Sequence, residues 1–342
     1  MSCLCSARET FGRPRSRCRR VSAMPARVER ATMVTVEGRP LRVLESEPLG
    51  RYTTFRIGGP ADFLVRASDR ETLELALAWG EREGLPVTVI GGGSNLLVCD
   101  GGIRGLVVVF RTAGGGQQDV LPFECEDGAI LMAFPATAPL SWIGHRTSEL
   151  GLAGMEWAAG LPGVLGGAVV NNAGAHGGDV GSALVDVELY DLRRRTLVRW
   201  TREQLAPQYR LTTLKALPQP RGYVVLQARL RLQPGDPAKL RAIAEANARW
   251  RREHQPTGPC AGSVFKNPPG TYAGYLIEQA GLKGFQVGRM RVSERHANFF
   301  LNLGGATAEE ALTLLEEVRR RVAERFGIVL EPEIEVIGEP KG

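Results

Sequence analysis

The sequence predicts an α+β protein, and three observations carry the prediction. A strand–helix–strand–loop unit runs from about Tyr52 to Phe110, compact enough for a small mixed domain. The segment Tyr223–Leu232 sets Val224, Leu226, Ala228, Leu230 and Leu232 on one face and Gln227, Arg229 and Arg231 on the other, as a half-buried antiparallel strand does. The last helix opens on Thr307-x-x-Glu310, a capping box. Its stripe of Leu312, Leu315, Val318, Val322 and Phe326 ends at Gly327.

The elements follow in order. Tyr52–Arg66 reads as a turn-containing lead-in with strand character at its end. Ser68-Asp69-Arg70-Glu71 has the capping-box pattern and opens a helix to about Gly84. Pro86–Ile90 is a short β-branched run leading into a glycine loop, and Leu106–Phe110 is a further strand. Arg111–Gln118, with three consecutive glycines, marks a boundary. A helix over about Leu140–Leu150 stops at Gly151. After a second, longer glycine loop come strands near Val185–Leu192, Thr196–Trp200 and Tyr223–Leu232. Pro234-Gly235-Asp236-Pro237 is the next boundary, followed by a helix to about Glu253. A helix near Tyr272–Ala280, a strand at Phe299–Leu303, the capped helix and a closing strand at Leu330–Ile337 complete the chain. The expected division is a basic disordered tail over 1–40 and regions over 41–112, 113–234 and 235–342.

Composition narrows the function classes. The 342 residues are 43% hydrophobic and 23% charged, ordinary for a globular protein. No apolar run approaches the ~20 residues of a membrane span, so no membrane partner is expected. The net charge of +6 hints at nucleic acid. However, the first thirty residues alone carry eight Arg against two Glu, and the remainder balances 35 basic with 35 acidic side chains. The basicity belongs to the tail, and no nucleic-acid partner is expected. Cys3, Cys5 and Cys18 lie in the tail, and Cys99, Cys125 and Cys260 form no CxxC or metal-type spacing. A reduced, cytoplasmic protein without structural metal follows.

The glycine loops carry the chemistry. The first is Ile90-Gly91-Gly92-Gly93-Ser94-Asn95-Leu96, and the second is Ala158–Gly178, reading AAGLPGVLGGAVVNNAGAHGG. Glycine lets backbone approach a ligand and turn successive amides toward one anion. Two such loops about sixty residues apart suggest one extended phosphate-bearing cofactor. Neither fits GxGxxG or the P-loop. Four further places hold reactive groups. Ser263 in GSVFKNP offers a hydroxyl, or simply a turn residue; Arg210 after Tyr209 suits a carboxylate, or solvent. Glu331, Glu333 and Glu335 are expected on one face of the closing strand, facing cations, protons or water. Gly281–Asn302 is a glycine-punctuated loop with Lys283, Gln286, Arg289, Ser293, His296 and Asn298.

In this order, TTFRIGGPAD, IGGGSNLL, GLPGVLGGAVVNNAGAHGG, Tyr-Arg, GSVFKNP, AGLKGFQVG, SERHANFFLN and LEPEIEVIG resemble the UDP-N-acetylenolpyruvoylglucosamine reductase family, over about Leu44–Gly338. The resemblance implies an FAD-binding fold of the vanillyl-alcohol-oxidase (PCMH) type in two subdomains plus a C-terminal α+β substrate-binding domain. It implies that FAD lies on Ile90–Leu96 and on Gly160, Pro162, Gly163, Gly166, Gly167, Ala168, Asn172 and Gly174. NADPH would reduce the flavin, and hydride would pass from flavin N5 to the enolpyruvyl methylene of UDP-N-acetylglucosamine enolpyruvate. Ser263 matches the family's proton donor, Arg210 the group that steadies the enolate, and Glu333 the third catalytic residue, expected protonated or proton-sharing because a bare carboxylate would repel the enolate, with crowding by Glu331 and Glu335 expected to raise its pKa. Lys266, Asn267, Lys283 and Gln286 are expected against the sugar nucleotide. A monomer of the shorter family subtype, with no resident metal, is expected.

Three positions depart from the family pattern. Thr212 stands for a usual Ser and keeps the hydroxyl, Leu214 replaces an aromatic, and His176 replaces a Tyr, changing one expected wall of the flavin loop. Two other readings fit parts of the sequence. Another FAD oxidoreductase of the same superfamily, acting on an alcohol, would keep the loops without needing Arg210, Ser263 and Glu333 together. A non-catalytic UDP-sugar-binding protein would carry no flavin.

Overall fold

A computed structural model of the chain describes residues 29–111, 124–126 and 128–342, with backbone only for 124–126. Two sheets and a smaller α+β unit surround a shared cleft. The first sheet runs Ala31–Val36, Arg39–Pro48, Pro60–Ala67, Ile103–Phe110, Val87–Ile90, antiparallel at the first two junctions and parallel at the last two. Helix Arg70–Arg82 makes the parallel crossover possible and buries Leu73, Ala76 and Trp79 on the sheet. Trp79 meets Phe63 edge to face at 5.3 Å.

The second sheet is antiparallel, in the order Thr196–Thr201, Leu184–Asp191, Tyr223–Pro234, Ala129–Pro135, Glu124–Glu126. Its central strand alternates as the sequence requires. Val224, Leu226, Ala228, Leu230 and Leu232 are buried, while Arg229 on the opposite face forms an ion pair with nearly buried Asp186. The last unit packs helices Ala273–Gln279 and Ala308–Phe326 on the meander Gln286–Val287, Met290–Val292, Phe300–Asn302. The capping box of Thr307 and Glu310 is formed in both directions, and Gly327 ends the helix at φ +68°.

Several expectations change. The tail expected over 1–40 lies outside the described residues only to 28; Ala31–Val36 is a strand, and Glu29 pairs with Arg42 and Arg66. The loop expected over Arg111–Gln118 lies outside the described residues after Arg111. Asp69, not Ser68, caps the first helix, accepting from Thr72 N, because the helix starts one residue later. The stripe of the last helix is broader, with Ala311 and Leu314 buried alongside Leu315. The second glycine loop contains a helix, Leu165–Asn171. The closing strand is only Glu335–Ile337. Pro332 has no N–H for a ladder, and Glu333 N instead donates to Val264 O at 2.7 Å. Helix Pro237–His254, placed by composition with the last region, packs on Leu140–Glu149 and the turn Glu156–Ala158 of the second.

Candidate active site

Strand Val87–Ile90 delivers the chain into Gly91-Gly92-Gly93, where only glycine fits. Gly93 has φ +61°, and a Cβ there would lie 2.0 Å from Tyr52 O. A Cβ on Gly92 would lie 2.7 Å from Gly163 Cα, so the two glycine loops touch backbone to backbone. The cleft they bound is lined by Ile90–Leu96, Pro162, Gly163, Gly166, Gly167, Ala168 and Gly174. Gly167 faces open space, with nothing within 4 Å of a built Cβ. Apolar walls come from Phe110, Leu140, Leu161, Val225 and Phe299. A cleft lined by glycine-rich backbone and by apolar side chains fits the diphosphate and ring system of a flavin dinucleotide.

Arg210, Ser263 and Glu333 line the same cleft. Arg210 sits at φ +55° in the turn closed by Gln208 and Leu211, a strained position for a residue with a Cβ. Its Nη2 donates to Gly174 O at 2.8 Å, tying it to the second glycine loop. Its Nε lies 2.5 Å from Glu333 Oε1, with side chains 19% and 13% exposed. The two groups form a close, largely buried ion pair. Burial pushes the Glu333 carboxyl above the ordinary carboxylate range, against the pull of Arg210, Lys215 and Lys266. The expected crowding by Glu331 and Glu335 is not the cause. Of the three acids only Glu335 lies in the closing strand, and Glu331 pairs with Lys266 and Glu335 with Arg221. Ser263 is half-buried, its backbone bridged to Phe299, and its hydroxyl bonds to no described residue.

Other expected residues sit apart. Gly160 and Asn172 do not line the cleft. Gly160 faces helix Pro237–His254. Asn172 is a buried brace whose Nδ2 donates to Gln208 O at 2.8 Å and whose Oδ1 accepts from Gly181 N at 2.8 Å, holding the Arg210 turn. Lys266, Asn267, Lys283 and Gln286 also lie off the cleft lining. Lys266 pairs with Glu331, and Lys283 reaches Glu278 at 2.6 Å. Asn267 Oδ1 accepts from Ala273 N at 3.1 Å, and Gln286 Nε2 donates to Gly288 O at 2.6 Å. His176, at φ +51°, is not among the residues that line the cleft, and its ring meets Trp250 edge-on at 5.2 Å. Thr212 keeps the role of a hydroxyl, capping Thr213–Ala216 and donating to Val170 O at 2.6 Å.

Sequence reasoning missed Arg221, Gln219, Arg251, Gln255 and Asn171, all in the lining. Arg221 Nη2 donates to Glu335 Oε1 at 2.7 Å. Lys215 Nζ donates to Asn171 Oδ1 at 2.8 Å, and burial lowers its pKa from the ordinary amine range. Asn171 lies in the second glycine loop and Glu335 in the acidic row, whereas Arg221, Gln219, Arg251, Gln255 and Lys215 stand in no motif.

A family model described as FAD binding domain matches residues 61–193, and one described as UDP-N-acetylenolpyruvoylglucosamine reductase, C-terminal domain, matches 254–337. The chain is 45% identical over 295 residues to UDP-N-acetylenolpyruvoylglucosamine reductase of Rubrobacter xylanophilus, covering 86% of this chain and 95% of that protein. It is 45% identical over 303 residues to the reductase of Moorella thermoacetica, covering 88% and 95%. The crystal structure of UDP-N-acetylenolpyruvylglucosamine reductase from Thermus caldophilus matches with TM-score 0.69 and 32% identity, over 91% of this chain and 100% of that one.

Proposed function

The chain belongs to the UDP-N-acetylenolpyruvoylglucosamine reductase family, and from that premise we propose that it is an FAD-dependent oxidoreductase converting UDP-N-acetylglucosamine enolpyruvate to UDP-N-acetylmuramate for peptidoglycan synthesis, with NADPH as reductant. The observation that carries this reading is one cleft joining both glycine loops to Arg210, Ser263 and Glu333. When bound, FAD supplies the hydride added to the enolpyruvyl methylene.

The residues do the rest. Hydride addition leaves negative charge on the α-carbon, shared with the substrate carboxylate. The Arg210 guanidinium, lining the same cleft, meets that charge by charge-assisted hydrogen bonds. Ser263 Oγ, bonded to no described residue, gives its proton to the α-carbon and regains one from water. Glu333, whose proton affinity burial raises against the pull of Arg210, takes part in this reading as a proton-sharing group beside the enolate. Lys266, Asn267, Lys283 and Gln286, though outside the cleft lining, are kept in this reading as the contacts of the sugar nucleotide. The protein acts as a cytoplasmic monomer in this reading, consistent with the unpaired Cys99 and Cys260.

The two half-reactions separate the roles. Ser263→Ala is expected to leave NADPH reduction of the flavin within about twofold. It slows reoxidation by the enolpyruvyl substrate about 10²–10⁴-fold, the usual share of a general acid. Reoxidation at the parent rate in stopped-flow absorbance removes Ser263 as the donor.

A further inference from the structure

Three arginines line the cleft, and two of them face glutamates: Arg210 with Glu333, Arg221 with Glu335. Arg251 is the third. It stands in the last turn of helix Pro237–His254, half-buried, and forms no ion pair among the described residues. Its Nε donates to Gly160 O at 3.2 Å. The titratable groups beside it are Cys260, a thiol that burial holds above its ordinary pKa, and His176, whose pKa burial and Arg251 itself lower. Neither supplies a counter-charge at neutral pH. A guanidinium does not shed its proton, so a partly desolvated one without a carboxylate calls for an anion from elsewhere.

Packing fixes where that anion would be. Ala159, Ala244 and Ala248 form a small buried cluster that draws the helix onto the second glycine loop. A Cβ on Gly160 would lie 3.1 Å from Ala248 Cα and 3.5 Å from Arg251 Cδ. Arg251 is therefore seated on Gly160, three residues before Gly163, which touches Gly92 and Ser94 of the first loop.

We propose that Arg251 is the cation that binds the FAD diphosphate, supplying full charge where the two glycine loops offer only amide dipoles. The proposal rests on FAD as the cofactor of this cleft. It assigns the helix Pro237–His254 a direct hold on the cofactor, although that helix lies outside the segment 61–193 that matches the FAD-binding family.

Apoprotein of the full chain, titrated with FAD and with riboflavin by flavin fluorescence quenching, tests it. Riboflavin has the ring system and no phosphate. Arg251→Gln is expected to weaken FAD by at least about tenfold, the loss of a charge-assisted contact, with riboflavin within about twofold. Arg251→Lys should recover part of the FAD affinity, since charge remains without the fork. Equal losses for both flavins would mean that Arg251 only packs the loop, and overturn the proposal. So would unchanged FAD affinity accompanied by weaker UDP binding to the FAD-loaded variant, which would give the charge to the substrate. Parent protein that takes up no FAD would instead defeat the cofactor assignment itself, and the proposal with it.

Discussion

At the residue scale, Glu333 shows how far composition misleads about cause. Three acids in LEPEIE suggest mutual repulsion, yet Glu331 and Glu335 each face a cation of their own, and burial is what raises the Glu333 carboxyl. The motif was legible; the environment, set by Val264, Arg210 and Lys215 from distant segments, was not. The sign has a consequence. A carboxyl raised in the folded state holds its proton to higher pH than in the unfolded chain. Its favourable contribution is full below the ordinary carboxylate pKa and is lost as pH rises through the folded value. Glu333→Gln mimics the protonated form at every pH. Thermal melts from acid to neutral pH should therefore show the stability difference moving in favour of the variant as pH rises. A difference independent of pH would mean Glu333 is not raised. The cations were the hardest to read: Arg221 and Arg251 sit in no motif, and their sites exist only once the chain is folded.

At the element scale, the strands and capped helices were legible because each carries its own period and its own stop signal. The central strand Tyr223–Pro234 and the helix Ala308–Phe326 are close to their sequence readings. The short helix Leu165–Asn171 was hidden, because Gly166 and Gly167 lower helix propensity and read as loop. The glycines of the two loops also differ in kind. Gly92 is pressed against Gly163 Cα, at 2.7 Å from a built Cβ, whereas Gly167 lies in a helix facing the cleft with nothing within 4 Å. Gly92→Ala must push backbone apart, an overpacking cost of about 1–3 kcal/mol, and should lower the melting temperature of the apoprotein. Gly167→Ala should leave that melt unchanged or raise it by up to about 1 kcal/mol of stability, since alanine favours helix. Its methyl would nonetheless enter the cleft, so FAD affinity should fall. Calorimetry of the apoproteins and flavin titrations together check the pair; equal effects from the two substitutions would contradict the placement of the loops.

At the scale of the whole molecule, the site is assembled by contacts between residues far apart in the chain. Strand Glu335–Ile337 pairs in parallel with Leu96–Val98 directly after the first glycine loop, and Asn95 Nδ2 donates to Glu333 O at 3.1 Å. The C-terminal strand thus fixes Glu333 against the loop, a pairing of such sequence separation that no local pattern signals it. Ser263 reaches the same place because Val264 O accepts from Glu333 N. Helix Pro237–His254 and the last strand cross between the regions expected from composition, and those crossings bring Arg251 and Glu333 to the cleft. The central claim is that this shared cleft reduces an enolpyruvyl sugar nucleotide. Incubating the FAD-loaded protein with NADPH and UDP-N-acetylglucosamine enolpyruvate, with mass spectrometry of the nucleotide product, tests it most directly. The account predicts that NADPH is consumed only with that substrate present and that UDP-N-acetylmuramate, richer by one hydride and one proton, accumulates. Recovery of the enolpyruvyl nucleotide unchanged, from protein whose flavin NADPH has reduced, would contradict it.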